Sequence, residues 1–180
     1  MNKSVAVKNL KEISGILTSN NVRNFLVYGT CLGAVREGNI IEHDNDTDLG
    51  IIASDWKFDL LRQFYDKGYS VDFIFGMFYF GCEIALMKNG VKTDLMFFYE
   101  NKKEGYYWNC LWQNGCRNGE SDKIKHIYPE VMFDNFWTVI LAGYRFNIPA
   151  QTEDYLILVY GENWRTPVKE FNWKTDHKCI

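Results

Sequence analysis

Asn89-Gly90 stands between two apolar runs, residues 79–88 and 91–99. This dipeptide favours positive φ at both positions, the backbone of a two-residue β-hairpin loop. It therefore commits the middle of the chain to paired strands, and a further strand is expected over residues 70–75. The N-terminus follows a different period. Val7, Leu10, Ile13, Ile16 and Leu17 recur at helical spacing across residues 3–19, with lysines and Glu12 between them. Ser19-Asn20-Asn21 supplies the turn chemistry that ends this helix. A chain with both periods is α/β or α+β.

The remaining segments extend that pattern. Phe25 to Tyr28 reads as a short buried strand, followed by Gly29-Thr30 and by one or two helical turns from Cys31 to Glu37, closed by Gly38. A polar turn over 42–45 leads into a strand over 46–52, and Ser54 is expected to cap a helix running to about Lys67, with Gly68 as its stop. Beyond Glu100 the expectations are a strand from Tyr106 to Trp112, a polar loop over 114–122, and a β-hairpin over 136–147. A helix over 152–160 follows, capped by Thr152, with Gly161 past its end. The 180 residues, 47% of them hydrophobic, suit a single domain over residues 1–180. Its expected form is a mixed sheet of about five strands with flanking helices.

Charge and cysteine usage narrow the function classes. The net charge of −3 comes without a long basic stripe, so a nucleic-acid partner is disfavoured. Aromatic residues at 17% serve cores, but they also line sugar and nucleobase pockets. The most apolar stretch, Phe73 to Met87, is broken by Gly76, Gly81 and Glu83 and is too short to span a bilayer. Met1 to Val5 lack the apolar core of a secretory signal, and the five scattered cysteines are odd in number. Reduced thiols in a cytoplasmic protein are expected, with contact to the inner face of a membrane left open. A zinc site from Cys82, Cys110, Cys116 and His126 has no paired short spacing in its favour, so these cysteines read as small buried hydrophobes.

The run Asp44-Asn-Asp46-Thr-Asp48-Leu-Gly-Ile carries the strongest chemical signal. Alternate strand residues share a face, so Asp46 and Asp48 project together and repel. Mg²⁺ or Mn²⁺ would relieve that repulsion, although the same run also reads as a polar turn entering a strand. Gly29-Thr30, with Gly33 and Arg36 behind it, suits phosphate oxygens at a strand-to-helix junction. It equally suits an ordinary tight turn. Asp94 lies in the apolar strand Val91-Lys-Thr-Asp94-Leu-Met-Phe-Phe, where a lone charge is costly without a partner or a metal. His43 and His126 are weak candidates for a base, and Asp44 either orients a metal ligand or simply shapes the turn.

Tyr28-Gly-Thr-Cys-Leu-Gly-Ala-Val-Arg-Glu-Gly38 followed by Asp44-Asn-Asp-Thr-Asp-Leu-Gly50 closely resembles the LicD and fukutin family. The resemblance continues at Lys92-Thr-Asp94-Leu-Met and at Tyr155-Leu and Tyr160-Gly-Glu-Asn-Trp164-Arg-Thr-Pro167, and residues 168–173 are similar to the fukutin branch. It implies a nucleotidyltransferase-like fold, with a core at about 24–100 and a C-terminal family region at about 101–170. It also implies a phosphotransferase passing phosphocholine, ribitol phosphate or a similar group from a CDP-activated donor to a sugar hydroxyl of a glycan, with release of CMP. Carried over by position, Asp46 and Asp48 are the metal carboxylates and Asp94 is the third catalytic acid, either a metal ligand or the proton acceptor. Gly29, Thr30 and Arg36 fall where donor phosphates are held. Asn45 replaces a common Asp and His43 a common Trp, which touches substrate detail. Trp164 reads as a packing residue, and Arg165 as either a substrate contact or a structural one. Two other readings keep the fold: transfer of a nucleoside monophosphate from an NTP, and a non-catalytic binding module.

Overall fold

The computed structural model describes residues 1–112, 123–168 and 171–172. The first helix, α1 (Lys3–Ser19), turns Val7, Leu10, Ile13 and Leu17 inward along one stripe. Asn2 caps it, its side chain accepting from the Val5 N–H at 3.2 Å. β1 (Asn24–Leu26) runs antiparallel to β2 (Asp46–Ile52), with helix α2 (Tyr28–Glu37) between them in sequence. β3 (Ser70–Met77), β4 (Phe80–Lys88) and β5 (Val91–Asn101) form an antiparallel meander. Asn89 and Gly90 take φ of 53° and 72°, as the hairpin loop demands.

β5 lies parallel to β2, which gives the order β1-β2-β5-β4-β3. The two parallel strands are buried for most of their length, as parallel pairs usually are. β6 (Tyr106–Trp112) pairs with the far end of β5, and β7 (Lys123–Pro129) pairs with β6. The sheet thus has seven strands among the described residues. β8 (Phe136–Leu141) and β9 (Tyr144–Pro149) make a separate hairpin, followed by α4 (Thr152–Tyr160). This is the mixed sheet with flanking helices that the two periods call for.

One sheet face has two unlike ends. Alternation puts Asp46, Asp48 and Gly50 on the same face of β2, and Lys92, Asp94, Met96 and Phe98 on the matching face of β5. Beyond the carboxylates the face is aromatic. Phe25 lies 5.2 Å from Phe98, 5.1 Å from Phe133 and 4.7 Å from Phe136 between ring centroids. Gly50 is required beside them, because a Cβ there would come within 2.6 Å of the Phe25 ring.

Several local expectations are corrected. Ser54 does not cap a helix to Lys67: a 3₁₀ turn covers Ala53–Asp55, and α3 spans only Leu60–Asp66. Asp55 instead takes the Arg23 guanidinium at 2.7 and 3.0 Å. Trp56 then continues in extended backbone, its ring 5.0 Å from Phe97. These two anchors hold the segment open. Thr152 donates to the Pro149 carbonyl rather than capping α4, and Gln151 holds the cap position. The C-terminal hairpin reaches residue 149 rather than 147. β7 is an additional strand, and the loop expected over 114–122 lies outside the described residues.

Candidate active site

The parallel β2–β5 pair sets Asp46 opposite Lys92 and Asp48 opposite Asp94. On the other face Thr47 and Thr93 bond to each other, hydroxyl to hydroxyl, at 2.9 Å. That register brings the three expected carboxylates to the wall of one cavity of about 600 Å³. Asp44 and Glu83 line it as well. Glu83 arrives from β4, diagonally across from Asp94, since Ala85 pairs with Asp94 and Glu83 with Met96. The lining also carries apolar and aromatic side chains, including Phe73, Phe75, Trp112 and Trp164.

α2 begins at Tyr28, so Gly29 and Thr30 form its first turn and not a loop before it. Tyr28 holds a left-handed φ of 46°, and its N–H donates to the Tyr155 hydroxyl at 3.0 Å. The Tyr28 hydroxyl is bonded to Tyr128 at 2.9 Å and accepts from Asn109 at 2.7 Å. These contacts tie the start of α2 to β6, β7 and α4. Thr30 is buried, and its hydroxyl accepts the Asp48 N–H at 2.8 Å. It therefore sets the position of β2 and is not part of the cavity lining. Gly29 does line the cavity, and a Cβ on it would stand 3.0 Å from Asp44 Oδ2. Arg36 also lines it, with its guanidinium on Glu37 at 2.7 Å and on the Trp164 carbonyl at 3.4 Å. Arg165 is not brought to the cavity: it pairs with Glu153 at 2.7 Å and lies over the Trp164 ring at 4.2 Å.

The sequence profile of the LicD/FKTN/FKRP nucleotidyltransferase domain matches residues 21–151. The chain belongs to the LicD/FKTN/FKRP family. Ribitol-5-phosphate transferase FKTN from Mus musculus is 33% identical over 172 residues, covering 95% of this chain and 34% of that protein. The Homo sapiens FKTN is 34% identical over 151 residues, covering 83% of this chain and 31% of its own. The chain spans about a third of the length of these relatives. In three dimensions it resembles the solution structure of the antibiotic-resistance factor ANT(2'')-Ia. The TM-score is 0.55 at 14% identity, over 98% of this chain and 80% of that one. That likeness concerns the fold alone.

In this LicD/FKTN/FKRP domain Asp44, Asp46, Asp48, Glu83 and Asp94 all line the one cavity. Asp94 is only 5% exposed and is pushed up to about 6 by burial, against the pull of Lys92. Burial and then Asp46 push Asp44 up to about 6. Glu83, 8% exposed, is pushed up to about 8 by burial and then by Asp94. Asp48, half-buried at its surface but enclosed by the cavity walls, is raised well above the ordinary range by burial, then Asp46 and Asp94. The buried Asp94 Oδ1 has no hydrogen-bond partner.

Crowded carboxylates, hard oxygen donors and one unsatisfied buried oxygen fit a divalent cation of the Mg²⁺ class. Among the described residues, however, no three His, Cys, Asp or Glu side chains are drawn around one point. The Lys92 ammonium sits between Asp46 Oδ2 at 3.1 Å and Asp94 Oδ2 at 2.8 Å. Cys82, Cys110 and His126 are not drawn around one point either, and Cys116 lies outside the described residues. His126 is buried and held down to about 4 by that burial, hence uncharged at neutral pH. No helix among the described residues is long and apolar enough to cross a membrane.

Glu83 and Lys92 are the site residues that the motif reading passes over. A glutamate inside the apolar run 79–88 is costly for the same reason as Asp94, and that was the available signal. The Tyr155 contact makes a separate prediction. Tyr155→Phe keeps the volume but strands the buried Tyr28 N–H, which costs about 1–3 kcal/mol. Urea unfolding of the variant is expected to show that loss, and an unchanged midpoint would remove the Tyr155 hydroxyl from this role.

Proposed function

We propose that this chain transfers a phosphorylated alcohol, ribitol phosphate, phosphocholine or a similar group, from a CDP-activated donor to a sugar hydroxyl of a glycan, releasing CMP. The observation that carries the reading is the meeting of Asp46, Asp48 and Asp94 on one cavity wall, with Asp94 Oδ1 buried and unbonded. Family membership and the FKTN relatives supply the reaction class.

Asp46, Asp48 and Asp94 would hold Mg²⁺ or Mn²⁺, which when bound supplies charge neutralisation at the donor diphosphate. Gly29 lines the cavity at the first turn of α2, where the helix N-terminus favours a phosphate oxygen. Arg36 lies at the same wall, where exchanging Glu37 for a phosphate costs it no ion pair. The aromatic side chains of the lining suit a base or a sugar ring. The proton of the attacking hydroxyl needs a carboxylate acceptor at the cavity: Asp94 would serve where it does not ligate the metal, and Glu83 lies diagonally beside it.

The direct test supplies CDP-ribitol, CDP-glycerol and CDP-choline in turn, with Mg²⁺ and a glycan acceptor, and measures CMP. Metal-dependent CMP release with one donor is expected. Pyrophosphate release from an NTP, with no CMP from any CDP donor, would replace this reading by nucleotidyl transfer.

The raised carboxylates also set a pH dependence. Without metal, the folded protein keeps protons on Asp44, Asp94 and Glu83 that the unfolded chain releases near 3.8 for Asp and 4.5 for Glu. Their stability contribution is therefore present in acid and is lost as pH rises through about 6 and then about 8. Metal ligation requires the deprotonated forms and so acts in the opposite sense. Mg²⁺ is expected to raise the melting temperature at about pH 8 and to do little at about pH 5. Equal shifts at both pH values would count against carboxylate ligation.

A further inference from the structure

Lys92 occupies a place that its sequence neighbours do not explain. It stands directly across from Asp46 in the β2–β5 pair and two residues before Asp94, so its stem leaves the sheet on the carboxylate face. Five carboxylates line this cavity: Asp44, Asp46, Asp48, Glu83 and Asp94. The Arg36 guanidinium, at the same cavity, is turned to Glu37. The Lys92 ammonium is bonded to both Asp46 and Asp94 and lies 5.4 Å from the centre of the Phe73 ring. Lys92 bonds the Oδ2 atoms of both residues, and Asp94 Oδ1 stays buried and unbonded beside it.

The Lys92 ammonium holds the same Asp46 and Asp94 oxygens that a divalent ion would need. An ammonium and a divalent cation repel, so the two compete for those oxygens. Lys92 nevertheless keeps a flexible four-carbon stem, with 26% of its side chain exposed to the cavity. An ammonium released from the carboxylates would remain within reach of any anion bound in the same cavity.

We propose that Lys92 is an exchangeable internal cation, which holds Asp46 and Asp94 together in the metal-free protein and passes to the diphosphate of the nucleotide donor when those oxygens take up a divalent ion. This rests on the metal-dependent reading of the site given above. Lys92 then opposes binding of metal alone and favours binding of metal together with a diphosphate, which couples the two ligands energetically.

The test titrates Mn²⁺ into the wild-type protein, Lys92→Met and Lys92→Gln, following free Mn²⁺ by electron paramagnetic resonance. CDP binding is then measured at saturating Mn²⁺. Both variants are expected to bind Mn²⁺ alone about tenfold more tightly and CDP about tenfold more weakly than wild type. Mn²⁺ affinity that is unchanged or reduced overturns the inference, and so does unchanged CDP affinity. If wild type binds Mn²⁺ and the variants match it, the metal site stands and the role of Lys92 alone is lost. If no protein of the three binds Mn²⁺, the metal reading falls and takes this inference with it. Circular dichroism checks each fold. Lys92→Gln retains a neutral donor to Asp46 and Asp94, and it carries the comparison should Lys92→Met fail to fold.

Discussion

Asp48→Asn is expected to abolish CMP release, by about 10³-fold or more, while leaving the protein folded. Asp48 shares its sheet face with Asp46 and faces Asp94 across the strand pair. Removing one carboxylate from a site that stabilises charge developing on a leaving group forfeits several kcal/mol of transition-state binding, which sets the size of the effect. Stability moves the other way. Burial, Asp46 and Asp94 all disfavour the charged form of Asp48, so an uncharged amide relieves repulsion in the metal-free protein. The melting temperature without metal is expected to equal or exceed that of wild type. Because the Thr30 bond is to the Asp48 backbone, the substitution leaves it intact. CMP release and a thermal melt on the same preparation decide the matter. Near-normal turnover would remove Asp48 from the chemistry, and a collapsed melt would make it a structural residue.

Phe25→Ala is expected to be the most damaging single core truncation, at about 3–5 kcal/mol of folding stability. Phe25 is fully buried and packs at 4.7–5.2 Å against Phe98, Phe133 and Phe136. Its partners come from β5, from the turn before β8, and from β8 itself. The ring therefore joins the N-terminal sheet to the C-terminal region. Gly50 is already the smallest residue and cannot refill the space left beside it. A loss of this size takes a large fraction of the stability of an ordinary domain. Denaturant unfolding gives the number, and a loss below about 1 kcal/mol would mean that the cavity collapses.

The elements that were legible in the sequence have local causes. The α1 stripe, the Asn89-Gly90 loop, the Gly38 stop and the alternation of Asp46 with Asp48 each depend on a few neighbouring residues. The helix expected from Ser54 failed for the complementary reason. Its backbone is held by Arg23 on Asp55 and by Phe97 against Trp56, and both partners are distant in the chain. β7 was hidden because His126 and Tyr128 face inward while Ile127 is exposed, which inverts the polarity that marks a half-buried strand.

The same division runs through the candidate site. The sequence by itself determined which carboxylates were available, that Asp46 and Asp48 share a face, and that Asp94 lies in an apolar strand. Only the tertiary structure decided that β5 lies parallel to β2 with Asp94 opposite Asp48, that β4 adds Glu83, and that Lys92 sits among them. It also sent Arg165 to Glu153 and put Thr30 beneath the cavity wall rather than in it. Alternation along one strand follows from the geometry of its own backbone. Register between strands more than forty residues apart is settled by packing, and no short stretch of sequence carries that information.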